Sequence, residues 1–227
     1  MCIRDSFNGD GILDVALALA QSESLTILFG DGRGSFVRPL KVALGSGFPL
    51  SILAVDLNLD GFADLVVGMS ALGRNLAVLI SLGDGTFRRP VLHELGKHNR
   101  PVSLAVGYFN CDLFPDIVIV NGGYDNSVSV LLGRGDGSFR NPRSFSVSPG
   151  VAPMSLAVGD FNGDLIPDIV TANALSNDVT ILRGKRLCHG RDVCVIWLLI
   201  LVPKLPFQTF QTQDMAMEHF HGCVLSQ

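Results

Sequence analysis

The chain has 227 residues, 48% of them apolar and 17% charged, with a formal charge of −4. This composition is globular and excludes a disordered chain, and the acidic balance lacks the basic footprint of a nucleic-acid binder. Asp outnumbers Glu by 18 to 3, beside 25 Gly; Asp competes with the helical backbone for hydrogen bonds, so the excess points to Asp-lined turns and argues against a helix bundle.

In chain order, the first five residues, Met1 to Asp5, back-translate to ATG TGT ATA AGA GAC. That resembles the transposon end used to build sequencing libraries, so residues 1–5 are read as adapter-derived. Ser6-Phe7-Asn8-Gly9-Asp10-Gly11-Ile12-Leu13-Asp14 then forms a polar loop. It is followed by an apolar, β-branched strand at 25–29 and by Gly34-Ser35-Phe36, with Pro39 three residues on. The same text returns as Asp56, Asn58, Asp60, Gly61 and Asp64, then a strand at 76–80, then Gly85-Thr86-Phe87 and Pro90. It returns again as Tyr108, Asn110, Asp112 and Asp116, a strand at 128–132, and Gly137-Ser138-Phe139 with Pro142. The last copy is Asp160, Asn162, Asp164 and Asp168, with a strand at 179–182.

The loop starts at 6, 56, 108 and 160 keep a period of about 51 residues, and the Phe landmarks keep the same one. Between the landmarks lie short runs bounded by Gly and Asn, including 64–67, 116–120 and 168–171, which read as strands. Each unit therefore holds about four antiparallel strands. Four strands repeated every ~50 residues is the pattern of a propeller blade. A kelch-type propeller has a similar period, but its double glycine occurs only at Gly122-Gly123. The predicted fold is all-β: a partial β-propeller over residues 6–184, three full units and a partial fourth. Three to four repeats are too few to close a ring, and open repeats expose apolar faces, which predicts that the chain associates.

After Gly184 the repeat stops. Residues 185–227 hold the only Trp (Trp197), three of the five Cys and three of the five His. This composition shift marks 185–227 as a non-repeat tail. Gly184-Lys185 can be encoded by a splice-donor-like GGT AAG, so the tail is read as non-native, from a retained intron or a frameshift. The longest apolar run, Val193 to Val202, has ten residues and falls short of the ~20 needed to span a membrane. No basic start followed by an apolar core marks a signal peptide.

The chemistry lies in the Asp loops. Oxygen ligands on alternate residues of a tight loop suit the 6–8 oxygen coordination of calcium, whereas the last carboxylate at position 9 instead of 12 excludes an EF-hand. Loop two offers Asp56, Asn58, Asp60 and Asp64 with the carbonyl of Phe62. Loop four offers Asp160, Asn162, Asp164 and Asp168 with the carbonyl of Ile166, and loop one offers Asn8, Asp10 and Asp14 with the carbonyl of Ile12. Loop four has Leu165 where a glycine is expected, and loop three has both Tyr108 at position 1 and Leu113 at position 6, so loop three is read as metal-free. The competing reading of all four is that Asp and Asn are turn formers making local backbone bonds.

Other candidates carry less. Arg134-Gly135-Asp136 overlays the regular hairpin turn, which needs that glycine anyway. Cys188, His189, Cys194, His219, His221 and Cys223 contain no Cys-x₂-Cys pair of a zinc site. His93 and His98 fall in a connecting loop. No phosphate loop, dinucleotide fingerprint or nucleophile elbow occurs.

Phe161-Asn162-Gly163-Asp164 through Pro167-Asp168-Ile169-Val170, together with Gly135-Asp136-Gly137-Ser138-Phe139, resembles the FG-GAP repeats of integrin-α type, also called VCBS-type repeats. The resemblance implies a β-propeller, usually of seven blades, with calcium in the loops of several blades. It also implies an extracellular or cell-surface setting and a non-catalytic role in adhesion, binding protein or carbohydrate. The alternative it leaves open is the propeller portion of a secreted enzyme, such as a polysaccharide lyase or phospholipase, with the catalytic part outside this sequence.

Overall fold

In the computed structural model, residues 2–195 are described, apart from 20, 46, 71, 72, 97, 98, 124, 148–150, 190 and 191. The tail beyond 195, with His219, His221 and Cys223, lies outside the described residues, as does His98. Every named element is a β-strand. Blade one is β1 (Cys2–Asp5), β2 (Asp14–Ala18), β3 (Ser24–Gly30) and β4 (Phe36–Ala43). Blade two is β5 (Phe48–Val55), β6 (Asp64–Ser70), β7 (Leu76–Leu79) and β8 (Val91–His93), and blade three is β9 (Arg100–Gly107), β10 (Asp116–Gly122), β11 (Ser127–Leu131) and β12 (Arg143–Ser146). Blade four has three strands, β13 (Pro153–Gly159), β14 (Asp168–Asn173) and β15 (Asp178–Leu182). The hairpin β16 (Arg186–His189) and β17 (Asp192–Val195) forms a separate two-stranded sheet. Each blade is an antiparallel meander in chain order. Residues 2–5, read from sequence as foreign to the repeat, form the first strand of blade one, with Cys2 opposite Leu17 and Asp5 opposite Asp14.

The first strands of blades two, three and four share a bulge beside a repeated proline. Pairing slips between Pro49 and Ser51, between the partners of Pro101 and Ser103, and between Pro153 and Ser155. Proline has no N–H for the ladder, so one extra residue is looped out there and the strand bends.

The core is distributed between blades. One cluster joins Phe7, Leu25, Ile27 and Phe29 of blade one to Leu65, Val67 and Met69 of blade two. A second joins Leu57, Val66 and Leu76 to Ile117, Ile119 and Phe139, and a third joins Phe109, Val118 and Val128 to Ile169 and Leu182. Stacking shows directly in the burial pattern. All residues of β10 and β11 are buried, so both faces of blade three are covered. In β2 of blade one and β15 of blade four burial alternates, as it does for a sheet covered on one face.

Between blades two and three the packing leaves no room for a methyl group at Gly68. A Cβ on Gly68 would stand 2.6 Å from the Pro101 carbonyl oxygen of the next blade, and would clash with Ser51 Oγ. That hydroxyl itself donates to the same carbonyl at 2.6 Å. Gly68→Ala is therefore expected to destabilise the fold by about 1–3 kcal/mol through overpacking, read as a lower urea midpoint with an unchanged slope.

Candidate functional site

The Asp loops join the first and second strands of each blade, and the Gly-Asp-Gly hairpins join the third and fourth. In a four-stranded meander these two turns lie at the same end, so the repeat gathers all its Asp-rich text on one face.

The last Asp of each loop anchors that face. In loop two, Asp64 is fully buried and accepts Leu57 N–H at 2.9 Å and Ser81 N–H at 2.8 Å. Asp14 accepts from Phe7 and Gly30, Asp116 from Phe109 and Gly133, and Asp168 from Phe161 and Gly184. Each carboxylate thus ties the loop to the start of the neighbouring hairpin. Burial pushes Asp64 up to about 6, and the nearby charges of Asp60 and Asp56 add to the rise. Burial likewise pushes Asp116 up to about 6, with Asp112 adding to it.

Positions 1, 3 and 5 turn inward on the loop's own backbone. Asp56 accepts Asp60 N–H at 3.1 Å and Gly61 N–H at 2.8 Å; Asn58 Nδ2 donates to Asp60 at 2.8 Å, and Asp60 accepts Phe62 N–H at 2.9 Å. Asp160 accepts from the N–H groups of residues 162–165, and the Leu165 N–H above all holds its carboxyl below the ordinary carboxylate range. Asp164 accepts Ile166 N–H and Asn162 Nδ2. In loop one the Ser6 hydroxyl accepts Gly11 N–H in place of a carboxylate, Asn8 pairs with Asp10, and Ile12 N–H lowers Asp10. Loop three keeps the Asn110–Asp112 pair, but Tyr108 brings no carboxylate to its position 1.

The donor set of loops one, two and four fits a hard, oxygen-seeking cation. An oxygen bonded to an N–H keeps a further lone pair. The position-9 carboxylate is different, since both its oxygens hold backbone N–H groups. Among the described residues, no three His, Cys, Asp or Glu side chains form a metal-holding group. The position-7 residues also have a second role, through their side chains. Phe62 packs on Gly83 and Phe114 on Gly135, so closely that a Cβ on Gly83 would lie 2.6 Å from the Phe62 ring.

The anchoring role of the position-9 Asp was missed in the sequence reading, although a signal exists: Asp14, Asp64, Asp116 and Asp168 are all Asp, whereas position 1 varies. Arg134-Gly135-Asp136 sits in a hairpin, with Arg134 N–H donating to Ser138 O and Asp136 accepting both the N–H and the hydroxyl of Ser138. His93 does not lie in a connecting loop but ends β8, partly buried with its ring edge-on to Phe139, and burial lowers its pKa.

With this geometry in place, the sequence comparison decides the family. FG-GAP-like repeats match residues 7–67 and 112–171, together more than half of the chain. The chain belongs to the FG-GAP-like repeat family. Among curated proteins none matches it. Of solved structures, an Agrocybe aegerita lectin that recognises non-reducing terminal N-acetylglucosamine is 21% identical, with a TM-score of 0.56, over 80% of this chain and 48% of the lectin. BBS1N in complex with ARL6DN is 16% identical, with a TM-score of 0.54, over 80% of this chain and 52% of that one. At these identities the likeness is one of fold. The FG-GAP-like chain spans about half the length of these proteins.

Each FG-GAP loop has two left-handed positions, the fourth and the sixth. Gly9, Leu59, Cys111 and Gly163 occupy the fourth, at φ from 60° to 77°, and Gly11, Gly61, Leu113 and Leu165 the sixth, at φ from 63° to 88°. A non-glycine residue there costs about 1–2 kcal/mol, partly offset by the greater chain entropy that a glycine loses on folding. Leu113 and Leu165 are 80% and 83% exposed and have little packing to lose. Leu113→Gly and Leu165→Gly are each expected to raise stability by up to about 1 kcal/mol, measured by chemical denaturation. A second expectation concerns pH. Asp116 is held above its ordinary range when folded, so its contribution is fully present below about pH 4 and lost as pH rises through about 6. In chelator, the melting temperature should fall between pH 4 and pH 7 by more in the parent chain than in Asp116→Asn, which keeps one acceptor oxygen.

Proposed function

We propose that the chain is a calcium-dependent, non-catalytic interaction module that acts in an extracellular or cell-surface setting and binds carbohydrate or protein. One observation carries this reading: loop two turns Asp56, Asn58 and Asp60 inward on the same face to which every blade contributes. Asp56, Asn58, Asp60 and the Phe62 carbonyl would hold the ion, with Asp64 as the third carboxylate through the lone pairs that its two N–H bonds leave. Loops four and one would bind through Asp160, Asn162, Asp164, Ile166 and Asp168, and through Asn8, Asp10, Ile12 and Asp14. A bound calcium ion would neutralise the clustered carboxylates and so stiffen the face that meets a ligand.

Membership in the repeat family supports an interaction role. The carbohydrate class draws support from the lectin of similar fold, whose ligand is a terminal N-acetylglucosamine. Among the described residues, no helix is long and apolar enough to cross a membrane. A face built from turns of several blades suits a broad, shallow ligand such as a glycan or a protein surface.

Calcium titration of the 227-residue chain tests the reading. Extracellular modules bind calcium at ~10⁻⁴ to 10⁻³ M. At about 100 times the dissociation constant, one occupied site adds about 2.7 kcal/mol to folded-state stability. Melting should rise with calcium, but not with sodium chloride of equal ionic strength, and magnesium should substitute poorly because it demands a smaller octahedral shell. Asp60→Ala should shrink the rise, while Asp112→Ala in loop three should preserve it. These positions are better probes than Asp64 and Asp116, whose replacement also cuts two backbone anchors. Identical melting with calcium and with chelator would leave the loops as turn formers only.

A further inference from the structure

All four Asp loops hold their position-3 Asn in the same way. The side-chain oxygen of Asn8, Asn58, Asn110 and Asn162 accepts the N–H of the Asp two residues on, at 2.9–3.3 Å. Its Nδ2 donates to the carboxylate of that same Asp at 2.6–3.0 Å. Closing the first bond folds the side-chain amide back towards the peptide nitrogen of position 4, which lies between the two bonded groups. The loops differ at that position. It is Gly9 in loop one and Gly163 in loop four, but Leu59 in loop two and Cys111 in loop three, all four with a left-handed backbone. A Cβ beside the nitrogen crowds its approach to an amide carbon and narrows the backbone angles it can sample; glycine has neither limit.

The sequence contains one more Asn-Gly pair, Asn121-Gly122, and its setting is the opposite. Both residues lie in β10, paired with Pro101 and Arg100 of β9. Asn121 is fully buried, and its Nδ2 donates across the sheet to the Ser127 and Ser129 hydroxyls at 3.0 and 2.7 Å. The chain thus carries two Asn-Gly pairs in turns, one locked in a strand, and two Asn in matching turns without the glycine.

We propose that Asn8 and Asn162 are sites of spontaneous deamidation, which the fold confines to loops one and four. The nitrogen of Gly9 or Gly163 bonds to the side-chain amide carbon of the preceding Asn and loses its proton to a buffer base. The bond from that carbon to Nδ2 breaks, and the nitrogen takes up a proton from solvent and departs as ammonia. Water then opens the cyclic imide. Cutting the new C–N bond gives Asp, and cutting the original peptide bond gives isoaspartate, with one methylene more in the backbone. No oxidant or reductant is needed. Either product replaces an amide donor with a carboxylate beside Asp10 or Asp164, so a hydrogen bond gives way to like-charge repulsion. Loops one and four therefore change with age, and loops two and three keep their Asn–Asp tie. The chemistry is independent of bound calcium and of any ligand.

Peptide mass spectrometry after incubation of the 227-residue chain in neutral buffer, chelator and heavy-oxygen water provides the test. Peptides holding Asn8 and Asn162 should gain the mass of the amide-to-carboxylate change with one heavy oxygen, and each should split chromatographically into Asp and isoaspartate forms. Conversion at Asn58, Asn110 and Asn121 should be at least about tenfold slower, a barrier difference of about 1.4 kcal/mol. Gly163→Leu, which copies loop two, should slow Asn162 by about the same factor and leave Asn8 unchanged. Leu59→Gly should bring Asn58 to the rate of Asn8 and Asn162. This second variant removes a residue from a left-handed position, so it serves if Gly163→Leu does not fold, and circular dichroism verifies the β signal of both. A parent chain whose Asn8 and Asn162 stay amides as long as Asn58 and Asn110 overturns the proposal, as does a Leu59→Gly variant whose Asn58 stays inert. Conversion of Asn121 at the same rate as Asn162 overturns the confinement by the fold, because the reaction would then run through the unfolded chain.

Discussion

A buried carboxylate holding two backbone N–H groups is the element on which each blade depends. The Asp loop leaves the first strand and enters the second; the hairpin of the third and fourth strands must sit beside it. Without a link, two polar turns would lie side by side in water with little to fix their relative position. Asp14, Asp64, Asp116 and Asp168 supply that link from the first residue of the second strand, one oxygen to the loop and one to the end of the third strand. Buried backbone donors left unpaired would cost ~1–3 kcal/mol each, so the anchor also satisfies groups that the sheet ladder does not reach. It costs desolvation of a charge, visible in the raised Asp64 and Asp116.

The rest of the architecture follows from repeating that unit. A four-stranded blade has two faces and cannot bury either one alone, so stability comes from stacking. The clusters join residues of successive blades, and the inner strands of blade three are buried from both sides. Glycines are placed where a neighbour arrives: Gly68 beneath the Pro101 carbonyl, Gly85 against Phe29 and Gly137 against Ile80. The same economy explains the end blades, whose strands alternate buried and open positions.

The Asp loops close on their own side chains. Their turns need N–H acceptors at positions 1, 3 and 5, and Asp56, Asn58 and Asp60 supply them in loop two. Position 6 shows what happens when turn chemistry is incomplete: Leu113 and Leu165 adopt the left-handed backbone that Gly11 and Gly61 adopt without strain. Neighbouring bonds such as Leu165 N–H to Asp160 at 2.8 Å keep the turn closed.

The sequence by itself determined the repeat, its period, the strand content and the placing of the Asp loops. These are local properties: strand runs, turn residues and spacing can all be read along one chain. After Gly184 the hairpin text disappears from the sequence, and blade four has three strands. Only the tertiary structure decided which Asp anchors the hairpin. The ninth-position carboxylate is 17 residues from one partner, Ser81 for Asp64, and no local rule finds a partner at that distance. Tertiary packing likewise decided that the position-7 side chains cover hairpin glycines, and that residues 2–5, foreign to the repeat by sequence, take a strand position. Backbone pairing depends little on side-chain identity, so an edge of β2 accepts any extended segment that reaches it. Finally, Phe7 and Phe161 occupy the same place in the repeat, yet one is buried and the other half exposed, because burial depends on the neighbouring blade and is not encoded within a single repeat.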